Sequence, residues 1–298
     1  MSTEEENGEM QLLEDVANDY YMELLESNIL QPAAECLYYD DKAMFRMHGN
    51  MRSFGQHLVQ NYGYFQGDVE ALEEAATSPS SSSVPKLHHL VITNTSPLNV
   101  IPNIVKKQTS VRTLVFTTKL EITKLPEDFF QKLKLLRILD ISGSDCRVLP
   151  NSLFKLVHLR HLNLSCLPIK TLPDAIGNLI NLQHLILKYC GSLLHLPESI
   201  LRLHKLRSID VHQTPLMSMP FWIHQLPQLT SLVGFVASEF SSKLKKLQTL
   251  HIVNLEVVND LPHKVLQEHI NLTNLTLSCR GEGQPYEEAE KEKMQRVL

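Results

Sequence analysis

The sequence predicts an α/β solenoid. Three observations carry that expectation: a recurring L-x-x-L-x-L segment, a proline that keeps the same period, and an apolar–polar alternation inside each segment. The clearest copies begin at Leu136, Leu159, Leu182 and Leu206 and read LRILDIS, LRHLNLS, LQHLILK and LRSIDVH. Looser copies begin at Leu87 (LHHLVIT), Val111 (VRTLVFT) and Leu229 (LTSLVGF). The steps between the seven anchors are 24, 25, 23, 23, 24 and 23 residues. The prolines Pro102, Pro126, Pro150, Pro173, Pro197 and Pro220 follow apolar residues at steps of 24, 24, 23, 24 and 23. Two independent marks with one period define a repeat.

The physics of one repeat follows from its residues. In L-x-x-L-x-L the fourth and sixth residues alternate as in a strand, so both point inward. The proline stops any helix from extending backwards and fixes a turn. A short apolar-spaced segment, as in NSLFKL and ESILRL, then closes the coil on its outer side. One coil cannot bury its own apolar face, but stacked coils can. The expected result is a leucine-rich-repeat horseshoe with a parallel sheet on its concave side, spanning residues 87–298.

The segments before and after the regular repeats read differently. Residues 1–76 predict a helix, a hairpin and a second helix, a partial winged-helix segment. Leu12–Leu25 carries apolar residues at 12, 13, 16, 17, 20, 21, 24 and 25, a wide helical stripe that Ser27-Asn28 ends. ECLYY and KAMFRM flank Asp40-Asp41 and are expected to pair around it. In FRMHGNMRSFGQHL a short strand ends at Met47, and Met51, Phe54 and Leu58 then keep helical spacing. Residues 77–86, opening TSPSSSS, are a flexible linker. Beyond Phe235 the regularity breaks. LQTLHIV from Leu247 and LTNLTLS from Leu272 predict two more strands, but the 18-residue step from Leu229 to Leu247 is short for a full coil. VASEFSSKLKK is expected as an irregular loop and PYEEAEKEKMQRVL as a charged helix. No capping repeat is expected before Leu298, so the chain is a fragment or another chain covers that end.

Composition excludes several classes. The 298 residues are 43% hydrophobic and 20% charged, with a net charge of −5. The pI near 6.3 argues against non-specific nucleic-acid binding. No apolar run approaches the roughly 18 residues of a membrane span. MSTEEENGEM is neither a signal nor a transit peptide. Five cysteines without a CxxC pair suit reduced thiols, and a cytoplasmic or nuclear location is expected. His158 and His161 form H-x-x-H and His88-His89 are adjacent, yet His158 precedes its strand, so no metal site is expected. Cys146 and Cys190 fall at core positions, which speaks against a catalytic thiol. No hydrolase elbow or kinase loop is present, so no enzyme is expected.

At this point a family is recognisable. VANDYYMELLESNILQP, then RMHGNM, then LPNSLFKLVHLRHLNLS and LPDAIGNLINLQHLILKYCGSLLHLP stand in the order found in plant nucleotide-binding leucine-rich-repeat disease-resistance proteins. The resemblance covers nearly the whole chain and is to the back half of those proteins. It implies a role in intracellular innate immunity, as effector recognition or autoinhibition. It also implies a protein partner: a pathogen effector, a host protein guarded by the receptor, or the family's nucleotide-binding domain. In the family a Met-His-Asp motif touches the phosphate of bound ADP. His48 stands at the His position, and Gly49 replaces the Asp. No GxxxxGK[ST] loop occurs in the sequence, so no ADP or ATP is expected on this chain alone. A leucine-rich-repeat scaffold of small-GTPase signalling shares the LP-containing coil and is the alternative. The 1–76 segment disfavours it.

The candidate site lies on the sheet. The residue after each first Leu forms one column that includes Arg112, Arg137, Arg160 and Arg207. The position between the last two apolar residues includes Asp140 and Asp210. His161 and His184 share a third column. One reading is a solvated face with local Arg–Asp pairs of little energetic weight. The other is a protein-recognition stripe, for which the planar two-point fork of Arg is suited.

Overall fold

The computed structural model describes residues 13–27, 29–32, 45–60, 62–77, 86–216, 220–236, 246–253 and 273–277. The chain divides into two compact units, Met1–Tyr62 and Gly63–Leu298.

In the first unit, helix α1 (Leu13–Glu26) carries the predicted stripe and is followed by strand β1 (Leu30–Pro32). Strand β2 (Phe45–Met47) leads through His48 into helix α2 (Gly49–Gln60). β1 and β2 pair antiparallel, Leu30 opposite Met47 and Pro32 opposite Phe45. This corrects the expected hairpin register. A two-residue turn at Asp40-Asp41 would set Phe45 opposite Cys36, four residues further along. Asp-Asp lacks the positive-φ preference that pins a tight hairpin. ECLYY itself lies outside the described residues.

Among the described residues, the second unit holds one sheet of ten strands, joined by parallel pairings in chain order. The strands are β3 (Tyr64–Gly67), β4 (His89–Ile92), β5 (Thr113–Phe116), β6 (Ile138–Asp140) and β7 (His161–Asn163). They continue as β8 (His184–Ile186), β9 (Ser208–Asp210), β10 (Ser231–Val236), β11 (Thr249–Val253) and β12 (Asn274–Leu277). The sheet thus begins before the expected boundary at 87. Tyr64–Gly67 pairs in register with His89–Ile92, and helix α3 (Val69–Thr77) follows it. Tyr62, Phe65 and Gly67 stand where the next coil carries Leu87, Leu90 and Ile92, so this first coil hides behind two aromatic residues and a glycine. Leu72 of α3 is part of the core.

Stacking supplies each coil with what it lacks. The first, fourth and sixth residues of the repeat are buried in coil after coil: Leu136, Leu139 and Ile141, then Leu159, Leu162 and Leu164, then Leu182, Leu185 and Leu187. Each such side chain contributes about 1.5–3 kcal/mol of burial against its neighbours. The backbone is paired just as regularly. The six repeat prolines use their carbonyls to accept from the N–H three residues on, at 3.0–3.2 Å: Val105, Phe129, Leu153, Ile176, Ile200 and Ile223. Those bonds open helix α4 (Asn103–Lys107) and five 3₁₀ turns on the outer side. The predicted outer closure is therefore a 3₁₀ turn in most coils, because five residues separate Pro150, Pro173, Pro197 and Pro220 from Leu156, Leu179, Leu203 and Leu226 and leave room for one turn.

After β6, β7, β8 and β9 the chain turns through the left-handed region. Gly143, Cys166, Tyr189 and Gln213 all occupy it, with φ of 72, 61, 56 and 53°. Each of the first three donates its N–H across to the next coil, at 2.8 Å. Gly234 departs from this pattern. It sits in β10 at a position where other coils carry an inward apolar residue, with φ +79°. The register with β11 shifts there, Val233 facing His251 and Phe235 facing Ile252. This is a bulge, and it marks where the 23–25-residue period is interrupted: Ser231 and Thr249 pair directly across an 18-residue step, and Thr249 to Asn274 is 25 again. Of the expected loop at 236–246, Val236 belongs to β10 and 237–245 lie outside the described residues, as does the charged helix expected at 285–298.

Candidate functional site

The solvent face of the sheet is built from columns whose registers the strand pairings fix. One column runs Tyr64, His89, Thr113, Ile138, His161, His184, Ser208, Ser231, Thr249, Asn274. A second runs Gln66, Val91, Val115, Asp140, Asn163, Ile186, Asp210, Val233. The arginine column precedes the strands by one residue. Its backbone is a hydrogen-bond ladder of its own: His88 donates to Gly63, Arg112 to His88, Arg137 to Arg112, Arg160 to Arg137, each at 2.7 Å. The ladder continues through Gln183 and Arg207 at 2.8 Å and Thr230 at 2.9 Å. The arginines are thus held on a rigid, evenly spaced backbone rather than on loops.

Arg112, Arg137 and Arg160 are exposed, and Arg207 is half-buried. Among the described residues none of the first three has a carboxylate partner. The acidic residues expected beside them are engaged elsewhere. Asp140 accepts the Ser142 N–H with Oδ1 at 2.9 Å and the Asn163 amide with Oδ2 at 2.8 Å. Asn163, itself buried, accepts the Ser165 N–H at 3.0 Å and its hydroxyl at 2.6 Å. Asp210 is only 8% exposed. It accepts the His212 N–H at 3.1 Å and pairs with the Lys188 ammonium at 3.2 Å. Each Asx residue therefore caps the turn after its own strand, and Asp140 and Asp210 also tie to a neighbouring coil. Burial pushes the Asp210 carboxyl above its ordinary value, partly offset by the His212 N–H and the Lys188 charge. These bonds of Asp140 and Asp210 serve the fold itself. The signal was present: Asx two residues before Ser or His, as in DIS, NLS and DVH, is the spacing of an Asx turn.

His161 and His184 face each other across β7 and β8, with ring centroids 5.8 Å apart, and both are half-buried. His89 sits farther along the same column and meets the Thr113 hydroxyl at 3.0 Å. Its imidazole titrates below the ordinary value because of burial, then the charges of His88 and Arg112. Ile138, 38% exposed, is an apolar position on this otherwise polar column. Among the described residues no group of three or more His, Cys, Asp or Glu is placed to hold a metal ion. Cys146 and Cys190 are buried, and burial raises the Cys190 thiol to about 12, too high for a nucleophilic thiolate at neutral pH.

His48 is exposed and lies directly before α2. The surroundings of Gly49 are open, with no atom within 4 Å of the point where a Cβ would stand.

A model of the leucine-rich repeat region matches residues 110–295, well over half of the chain. The chain belongs to the leucine-rich-repeat family, whose fold is a protein-binding scaffold. Among solved structures it is similar to internalin C2 of Listeria monocytogenes, at 19% identity and TM-score 0.53, over 70% of this chain and 91% of that one. It is also similar to PEPR1 in its AtPEP1 complex, at 17% identity and TM-score 0.50, over 74% of this chain and 32% of that one. These two likenesses establish the fold. The ectodomain of the Arabidopsis thaliana receptor kinase GASSHO1/SCHENGEN3 aligns at 22% identity and TM-score 0.47, over 65% of this chain. The chain spans a quarter of that ectodomain's length. Among curated proteins there is no match. No helix among the described residues is long and apolar enough to cross a membrane.

Proposed function

We propose that this chain is a protein-recognition module of plant intracellular innate immunity, acting in effector recognition or in autoinhibition of a nucleotide-binding leucine-rich-repeat receptor. The observation that carries the recognition role is the row Arg112, Arg137, Arg160: exposed guanidinium groups on a rigid ladder, with no carboxylate partner among the described residues. Like charges on adjacent strands repel, and an acidic partner surface relieves that repulsion. The immune assignment rests on the resemblance of the FRMHGNM segment and the LP-marked coils to that receptor family. By itself the chain is proposed to take no ADP or ATP, since it has no phosphate loop.

The test is a pull-down or two-hybrid assay against nucleotide-binding domains of such receptors and against effectors. Arg137→Glu with Arg160→Glu should abolish an interaction that Lys132→Glu, on the outer turn, leaves intact. Circular dichroism serves as the folding control. A folded double variant that keeps every partner would show the row to be a solvated face.

A further inference from the structure

We propose that the arginine row, read as above as the recognition face, takes an acidic partner segment in the polyproline II conformation. The segment lies across the strands, with carboxylates at every third residue and an apolar side chain seated on Ile138. The argument is one of spacing. Arg112, Arg137 and Arg160 precede three adjacent strands, and Arg207 lies two strands further on, with Gln183 between. Parallel strands sit about 4.8 Å apart. Arg112, Arg160 and Arg207 are therefore spaced at two steps of about 9.6 Å, with Arg137 midway in the first.

Few backbone conformations repeat at that distance on one face. A β-strand returns a side chain to the same face every second residue, at about 6.7 Å or 13 Å. An α-helix does so at about 5–6 Å, and again at about 10.5 Å after seven residues, where it drifts by nearly 2 Å over two steps. Polyproline II has three residues per turn and a rise of about 3.1 Å, so its repeat is about 9.3 Å. It also leaves its own backbone unpaired, which suits a face whose strand amides are already spent on the ladder.

The chemistry fits the same occupant. Each guanidinium offers a planar fork to a carboxylate. Asp140 and Asp210 are committed to turns and cannot compete for the row. Between the arginine contacts Ile138 offers an exposed apolar foothold, flanked in its column by Thr113 and His161. A proline or leucine between the acidic residues would cover it.

Two labelled peptides of equal composition separate spacing from charge. One is Glu-Pro-Leu-Glu-Pro-Leu-Glu; the other is Glu-Pro-Glu-Leu-Glu-Pro-Leu. Fluorescence anisotropy with the full chain should show the first binding at least fivefold tighter, with Arg137→Ala plus Arg160→Ala removing the preference. Equal binding of both peptides, or binding of neither, overturns the proposal. If the charge-reversed variant still loses a protein partner in the pull-down, the recognition reading stands without it. A control variant changes the chain's own acidic residues Glu4, Glu5, Glu6 and Glu9 to Gln. If the peptide binds only after those four are changed to Gln, the row serves its own chain, and the proposal of a separate partner fails.

Discussion

The central coils and the N-terminal unit both carry regular apolar stripes, and they use them differently. Between Leu136 and Val211 every inward residue of the repeat is buried against the coils on either side. In the N-terminal unit the stripe residue Tyr20 of α1 is 65% exposed, and Phe54 of α2 is 57% exposed. Both patterns are amphipathic in sequence. Periodicity states which residues share a face; it does not state that a second surface covers it. In the array the repeat itself guarantees that surface. In the helices of the first unit nothing local does.

That contrast predicts unequal responses to mutation. The largest effect belongs to Gly234→Val. A Cβ there would lie 2.4 Å from the His212 nitrogen, on a backbone with φ +79°. Strain and overlap together should cost at least about 3 kcal/mol in urea denaturation. Leu162→Ala should cost about 2–5 kcal/mol. Phe54→Ala, a larger truncation on an exposed site, should stay within about 0.5 kcal/mol. Equal losses at Leu162 and Phe54 would erase the distinction.

Smaller effects sharpen it. Gln213 holds φ +53° without being glycine. Gln213→Gly should stabilise by about 0.5–1 kcal/mol in thermal melts, the left-handed penalty outweighing the added chain entropy. Gly49→Ala in α2 should stabilise by up to about 1 kcal/mol from helix propensity alone, since the new methyl meets nothing.

The smallest effect is a pH dependence at Asp210. A raised carboxyl value means that the folded chain takes up this proton before the unfolded chain does. Wild type should therefore gain stability relative to Asp210→Asn as pH falls from above the folded value towards the ordinary value near about 4. Above that window the difference should be flat. Asn163 already caps the same turn in another coil, so the variant should fold. A difference that grows with rising pH would contradict the burial argument.

The array was legible because its determinants are local and repeated. Leu at the first, fourth and sixth positions with a proline at a fixed offset admits few structures. The first coil escaped because Tyr62, Phe65 and Gly67 keep the spacing but not the residue type. The hairpin register escaped because no residue pair near Asp40-Asp41 carries the Asn-Gly type of mark that pins a tight turn. On the site, sequence placed the arginines in one column, and the pairings set them in that register. It also placed Asp140 and Asp210 in their column, but it could not show that their oxygens were already spent. That depends on the N–H two residues on and on Asn163 and Lys188 in neighbouring coils.

Association kinetics test most directly the proposal that the row Arg112, Arg137 and Arg160 attracts an acidic partner. Rates should be measured against a partner retained by the wild-type chain, from low to physiological salt. Electrostatic attraction acts mainly on the association rate and is screened over about 8–10 Å. For the wild-type chain that rate should fall steeply with salt. For Arg137→Glu with Arg160→Glu it should be at least about tenfold lower at low salt and nearly flat. An unchanged association rate with an unchanged salt slope would contradict the account.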